Sequence, residues 1–241
     1  MATSTTIKKL SLATTGAAFV ALGAVGSAEA STLWYNGDFD YLSGKANEIN
    51  TAVTNASTYD DFTIPEGQIW NIDTIWSNNL MNFTGVTQSA WSIRKDVSAG
   101  NGGTVVASGT SAATQTATGR NGFGFNEYNI QLSGLNINLD AGTYWLSVTP
   151  IGFGSGRSFN SNTSGLNAVG TFTANTGNSF LSSSYFGTNF QSQTYDYSKG
   201  IAGVAKNVPE PTTTLGLLAL GAMGAGSMLK RKQQQKVTVK A

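Results

Sequence analysis

Between residues 68 and 76 the chain reads QIWNIDTIW. A period of two puts Trp70, Ile72, Thr74 and Trp76 on one face and Ile69, Asn71, Asp73 and Ile75 on the other, the pattern of a strand buried on at least one side. The same period returns further on. Tyr128, Ile130 and Leu132 alternate in YNIQL, and Leu135, Ile137 and Leu139 alternate against Asn136 and Asn138 in LNINL. In TYWLSV, Tyr144, Leu146 and Val148 alternate against Trp145 and Ser147. AWSIR and GTVVASG read as two more strands. Turn chemistry separates these runs: Pro65-Glu66-Gly67, Gly100-Asn101-Gly102-Gly103, Ser133-Gly134 and Asp140-Ala141-Gly142. Lys45 to Asn55 is the one stretch open to a helix reading, and its Thr, Val and Asn content opposes it. No strand alternates with a clear helix, so the pattern predicts an all-β fold: an antiparallel β-sandwich of jelly-roll type.

The two ends follow other rules. Lys8 and Lys9 precede a small-residue apolar segment, Leu10 to Val25, and Ala28-Glu29-Ala30 is an A-x-A site. These are the parts of a secretory signal peptide over residues 1–30, cut by signal peptidase so that the mature chain begins at Ser31. At the far end, Thr212 to Leu229 is an uncharged run near the lower length limit for a bilayer span. Pro209 and Pro211 hold the chain before it extended. Lys230, Arg231 and Lys232 follow as a basic stop cluster, which stays cytoplasmic by the positive-inside rule. The expected order is signal peptide 1–30, exported body 31–206, sorting segment 207–232 with a single transmembrane helix at 212–229, and a basic, polar tail at 233–241.

Composition agrees with export of a β body. Charged residues are 11% and Gly occurs 29 times, while apolar and aromatic residues reach 40% and 10%, enough for a packed core. From Ser31 to Val208 there are seven Lys/Arg against eleven Asp/Glu, a net charge of −4. That balance opposes nucleic acid as a partner, since phosphate binding needs a basic surface. There is no Cys, so the body holds without disulfides.

With neither His nor Cys, Ser-His-Asp and Cys-His machinery is excluded. A carboxylate pair remains: Asp60-Asp61 with Glu66 or Glu127 could serve a glycosidase, but adjacent Asp60 and Asp61 point to opposite faces of a strand. The expectation is a noncatalytic protein without a cofactor. A structural calcium ion is the one metal considered, with Asp38, Asp40, Asp60, Asp61 and Asp140 as ligands against the reading of solvated acidic loops. Trp34, Tyr35, Trp70, Trp76, Trp91, Tyr144 and Trp145 could stack on sugars or fill the core. Trp145, opposite the face of Tyr144, Leu146 and Val148, is the candidate glycan contact. The Ser/Thr-rich stretches GTSAATQTATGR and NSFLSSSYFG are candidate glycan attachment sites.

Val208-Pro209-Glu210-Pro211, the apolar run and the basic end together resemble the PEP-CTERM sorting signal of Gram-negative bacteria and cyanobacteria. The tail beyond Lys232, QQQKVTVKA, is longer than that pattern. The resemblance implies recognition by an exosortase, a membrane-embedded cysteine transpeptidase, and cleavage near Pro209. The reading that follows is a membrane-anchored precursor and a final place at the cell surface or in the extracellular matrix, with exopolysaccharide as the expected partner there. YDDFTIPEGQIWNIDTIW, LDAGTYWLSVTP and FNSNTSGLNAVG resemble a recurring body type among such proteins, and the first two are similar to secreted jelly-roll modules, some of which bind sugars. The other classes in view are a glycan-active enzyme and a purely structural surface protein.

Overall fold

The computed structural model describes residues 30–50, 54–152, 154–170 and 178–208. In chain order the strands are β1 (Ser31–Tyr35), β2 (Phe39–Ala46), β3 (Glu48–Asn50), β4 (Thr54–Met81), β5 (Gln88–Lys95), β6 (Thr104–Ala112) and β7 (Thr114–Gly122). They continue as β8 (Phe125–Leu132), β9 (Ile137–Pro150), β10 (Ser158–Thr163), β11 (Ser179–Ser183), β12 (Thr188–Gln193), β13 (Asp196–Tyr197) and β14 (Lys199–Asn207). No helix occurs among the described residues, and every pairing between these strands is antiparallel. The signal peptide with Ala28, Pro209-Glu210-Pro211, the expected transmembrane helix, Lys230-Arg231-Lys232 and the tail lie outside the described residues.

The 28-residue β4 organises the sheet. Its first half pairs with β3, β11 and β9, and its second half with β14, β8 and β10. The main path runs β1-β14-β4-β9-β5-β6. Inward side chains of β1, β4, β5, β8, β9 and β14 meet in one cluster, so the sheet closes on itself in a sandwich-like way. Phe62 lies at its centre, stacked 5.5 Å from Tyr144 and 6.1 Å from Trp70, with Trp34 at 5.5 Å. Burying each such side chain is worth about 1.5–3 kcal/mol.

Three local expectations change. The alternation of QIWNIDTIW breaks at Asp73. Ala202 faces Thr74 and Gly203 faces Ile72, so Asp73 is an extra residue, and the bulge turns Ile75 inward while Trp76 goes outward over Gly200. Pro65-Glu66-Gly67 does not end a strand. Ile64 faces Gly142 and Ile69 faces Asp140, so residues 65–68 bulge out of β4 opposite Ala141 alone. Asp140-Ala141-Gly142, expected as a turn, therefore lies inside β9. Around Lys45 to Asn55 the described residues form the end of β2, β3 and the start of β4.

One end of the interior is polar. Asn47, Thr58, Asp60, Ser77, Asn79, Thr149, Asn160, Ser198 and Lys199 are all buried. Asn47 ties this end together: its side-chain amide donates to Asn79 Oδ1 and to the Val148 carbonyl, both at 2.9 Å. Its Oδ1 accepts from the Thr58 N–H and the Thr149 hydroxyl, both at 3.2 Å.

Candidate functional site

On the outer face where β2, β4, β8 and β10 meet, Phe159 of β10 stands opposite Leu80 of β4, and Leu80 opposite Glu127 of β8. Phe159 and Leu80 floor a pocket of about 230 Å³ walled by Leu42, Gly44, Phe123 and Phe125, with Ser43 as its polar edge. Gly44 leaves the space: a Cβ there would come within 3.3 Å of the Phe159 Cβ and Leu80 Cδ1. Phe125 meets Phe159 edge-on at 5.3 Å.

The chain at and beside the pocket is exposed and held in an unusual backbone. Tyr41, Leu42 and Phe123 are 58%, 71% and 63% exposed. Tyr41 (φ 64°) and Phe123 (φ 56°) both lie in the left-handed region, which bulky residues avoid. Phe39 supports both rings from beneath, 4.9 Å from Tyr41 and 6.5 Å from Phe123. Gly122 makes room for Phe39, since a Cβ there would come within 2.8 Å of its ring. Strained backbone and exposed rings together mark a place shaped for contact.

Charge surrounds the pocket in fixed pairs. Arg157 lies 4.9 Å over the Phe159 ring while its Nε donates to Glu48 Oε1 at 2.7 Å. Arg120 bridges Asp38 Oδ1 at 3.0 Å and Glu127 Oε2 at 2.5 Å. Thr118 donates to the same Glu127 oxygen at 2.7 Å, whereas Glu127 Oε1 is buried with no partner among the described residues. Asp38 also accepts from Tyr35 at 2.7 Å and Asn167 at 2.8 Å. Burial pushes the Asp38 carboxyl up. The hydrogen bonds from Tyr35 and Asn167 and the Arg120 charge outweigh it and hold the group below its ordinary value.

The residues singled out from sequence are placed as follows. Asp40 accepts from the Leu42 N–H at 2.9 Å within β2. Asp140 is exposed on β9. Asp60 and Asp61 are adjacent on β4. Burial, with Asp196 nearby, raises both carboxyls. Glu66 is exposed in the β4 bulge, and Glu127 is committed to Arg120, so the structure does not bring either to Asp60-Asp61 as a carboxylate pair. Among the described residues no three acidic groups are placed to hold a metal ion together. Trp145 is half-buried, 6.5 Å from Phe180, with its indole N–H donated to the Asn178 carbonyl at 2.7 Å. Trp34, Trp70 and Tyr144 fill the core. Ser31 opens β1, and Val208 is exposed just past β14, its N–H donated to the Gly67 carbonyl at 2.7 Å. GTSAATQTATGR spans the end of β6 and most of β7, both exposed, and residues 178–187 form β11 and the turn after it.

Sequence reasoning passed over the pocket because it weighed tryptophans. A signal was present in NGFGF: a Phe between two glycines at a hairpin tip has no core to enter. Residues 207–232 match the family model described as the PEP-CTERM protein-sorting motif. No curated protein and no solved structure matches the chain. The chain thus carries a PEP-CTERM sorting motif, which marks an exported protein processed by an exosortase from a membrane-anchored precursor.

Proposed function

We propose that this is a noncatalytic surface or extracellular-matrix protein, with a body of jelly-roll type, that associates with exopolysaccharide through the Phe123–Phe159 pocket. The observation that carries this reading is the pair of exposed aromatic rings, Tyr41 and Phe123, both held in left-handed backbone over Phe39, with Phe123 lining an apolar pocket. Apolar ring faces stack on the C–H faces of a sugar, and the Ser43 hydroxyl and the Arg157 guanidinium over Phe159 suit its polar rim. The volume is below the ~300–1,000 Å³ of drug-sized sites, which suits one sugar ring at a time. A surface made of such contacts binds a long polymer through many copies, each of them weak.

The test is a glycan array on the purified exported protein, followed by titration of any positive glycan against Phe123→Ala, Tyr41→Ala and Trp145→Ala. Phe123→Ala and Tyr41→Ala are expected to weaken binding about tenfold each, as the loss of one stacking contact implies, and Trp145→Ala to leave it unchanged. Loss through Trp145→Ala alone would move the site to β9, and an array without a positive would remove the reading.

A further inference from the structure

Lys199 opens the last strand, β14, and its side chain is fully buried. Among the described residues its Nζ donates to one side-chain atom, Thr58 Oγ1, at 3.0 Å, and it lies 5.9 Å over the Tyr197 ring. An ammonium has three N–H donors to satisfy, and a buried one left with a single acceptor is costly. Burial accordingly drives the lysine down to about 7, against the opposing pull of Asp60, so near neutral pH much of it is the free amine.

One hydroxyl connects that amine to an amide. The Thr58 hydroxyl that receives Nζ itself donates to Asn160 Oδ1 at 2.8 Å, so one hydroxyl links the nucleophile to the carbonyl oxygen. Asn160 is fully buried, and its Nδ2 donates to the carbonyls of Asn78 at 2.8 Å and Ser198 at 3.2 Å, the latter next to Lys199. An acid lies near enough to Lys199 for its charge to act on it. Asp60 lies two residues after Thr58 on the same face of β4, buried, and accepts from the N–H groups of Asp61 and Tyr197. Burial and the neighbouring Asp196 favour its protonated form.

We propose that Lys199 and Asn160 join in an intramolecular amide bond, with Asp60 as the proton carrier. The lone pair of neutral Nζ attacks Asn160 Cγ, and the carbonyl electrons move onto Oδ1, which the Thr58 hydroxyl holds. The Asp60 carboxylic acid passes its proton to Nδ2. The C–Nδ2 bond breaks, ammonia leaves, and Nζ returns a proton to the Asp60 carboxylate. One amine and one primary amide become one secondary amide and ammonia, with no oxidant or co-reactant. The bond ties β14 to β10, which are not paired with each other. β14 is the strand that runs directly into the sorting motif, so this is where tension from a membrane anchor would enter the body. In a chain with no cysteine, such a link supplies the covalent staple that disulfides give elsewhere.

The test is the intact mass of the exported protein, followed by peptide mapping. The expected mass is that of the processed chain, its two ends fixed by the peptide map, less one ammonia, with a branched peptide joining Lys199 to Asn160. Lys199→Arg should restore the missing mass. Because that variant risks misfolding, the decisive reading is on the unaltered protein. A mass equal to that of the processed chain, with no ammonia missing, overturns the proposal. So does loss of one water, which would join Lys199 to a carboxylate instead. An ammonia loss that maps to an unbranched peptide, such as a cyclised Asn-Gly, also overturns it.

Discussion

Two asparagines make the same kind of hydrogen bonds in different surroundings, and replacing each by alanine isolates what burial adds. The Asn47 side chain is fully buried, and Asn47→Ala removes all four of its bonds. Two of the partners keep other company. The Val148 carbonyl still accepts from Ser77 at 3.0 Å, and the Thr149 hydroxyl still meets Ser57 at 3.0 Å. The Thr58 N–H and Asn79 Oδ1 lose the bonds they make to Asn47, inside the protein. Each buried group left so costs about 1–3 kcal/mol, so Asn47→Ala is expected to cost about 4 kcal/mol in all. Asn71 donates at 2.8 and 3.0 Å to Asn136 and Asn138, but in the open, where water replaces it. Asn71→Ala is expected to cost about 0.5 kcal/mol or less. Urea unfolding followed by tryptophan fluorescence measures both. With a slope of about 2 kcal/mol per molar, Asn47→Ala should lower the midpoint by about 2 M and Asn71→Ala by about 0.2 M. A shift below about 0.5 M for Asn47→Ala would show that water or repacking satisfies that end of the interior. The claim that a hydrogen-bonded polar network closes the sandwich there would then fail.

Phe123→Gly should leave stability equal or raise it by about 1 kcal/mol, because glycine relieves the left-handed strain while the ring buries little. A loss of more than about 1 kcal/mol on thermal unfolding would make Phe123 a packing residue instead. Gly200→Ala should destabilise by about 2–4 kcal/mol, since a Cβ there would come within 2.1 Å of the Trp76 ring on the paired strand; an unchanged melting temperature would contradict the β4–β14 register. Asp38 is held below its ordinary value when folded, so its contribution is present above the unfolded value and fades as pH falls through the folded one. Acid titration of stability in Asp38→Asn should therefore show a shallower loss at low pH than the unaltered protein, and parallel curves would remove the Asp38–Arg120 pair as a cause.

The sequence pattern carried the strand class well because alternation survives wherever one face is buried. Leu146, Val148 and Tyr144 point inward as their spacing requires. It failed where the chain departs from period two for geometric reasons. Asp73 is one residue too many opposite β14, and nothing local in IDTI announces it. The bulge at Pro65-Glu66-Gly67 has full turn chemistry, yet β4 resumes its pairing with β9 beyond it, a fact that belongs to the partner strand. The pocket escaped for a related reason. Its walls come from β2, β4, β8 and β10 and from the tip between β7 and β8, and only three-dimensional pairing puts Leu42, Leu80, Phe123 and Phe159 side by side. Trp145 shows the converse. Alternation correctly placed it opposite the core face, but β11 brings Phe180 against it from more than thirty residues away.

The junction between body and sorting motif links these features. β14 ends at Asn207, and the matched motif begins there, with Val208 the next residue and Pro209 after it. The Val208 N–H donates to the Gly67 carbonyl, so the same bulge that interrupts β4 braces the start of the motif. A protease acting near Pro209 must therefore work within a residue or two of folded sheet, or pull Val208 away first. Pulling costs one exposed hydrogen bond, about 1 kcal/mol, before it meets the ladder of β14 against β4. Access and resistance are thus separated by a single residue: Val208 can yield cheaply, while Ala205 and the residues before it cannot. Lengthening the chain between Asn207 and Val208 by a few flexible residues should speed processing if that brace limits it. It should leave the rate unchanged if Pro209 and Pro211 alone keep the motif clear of the body.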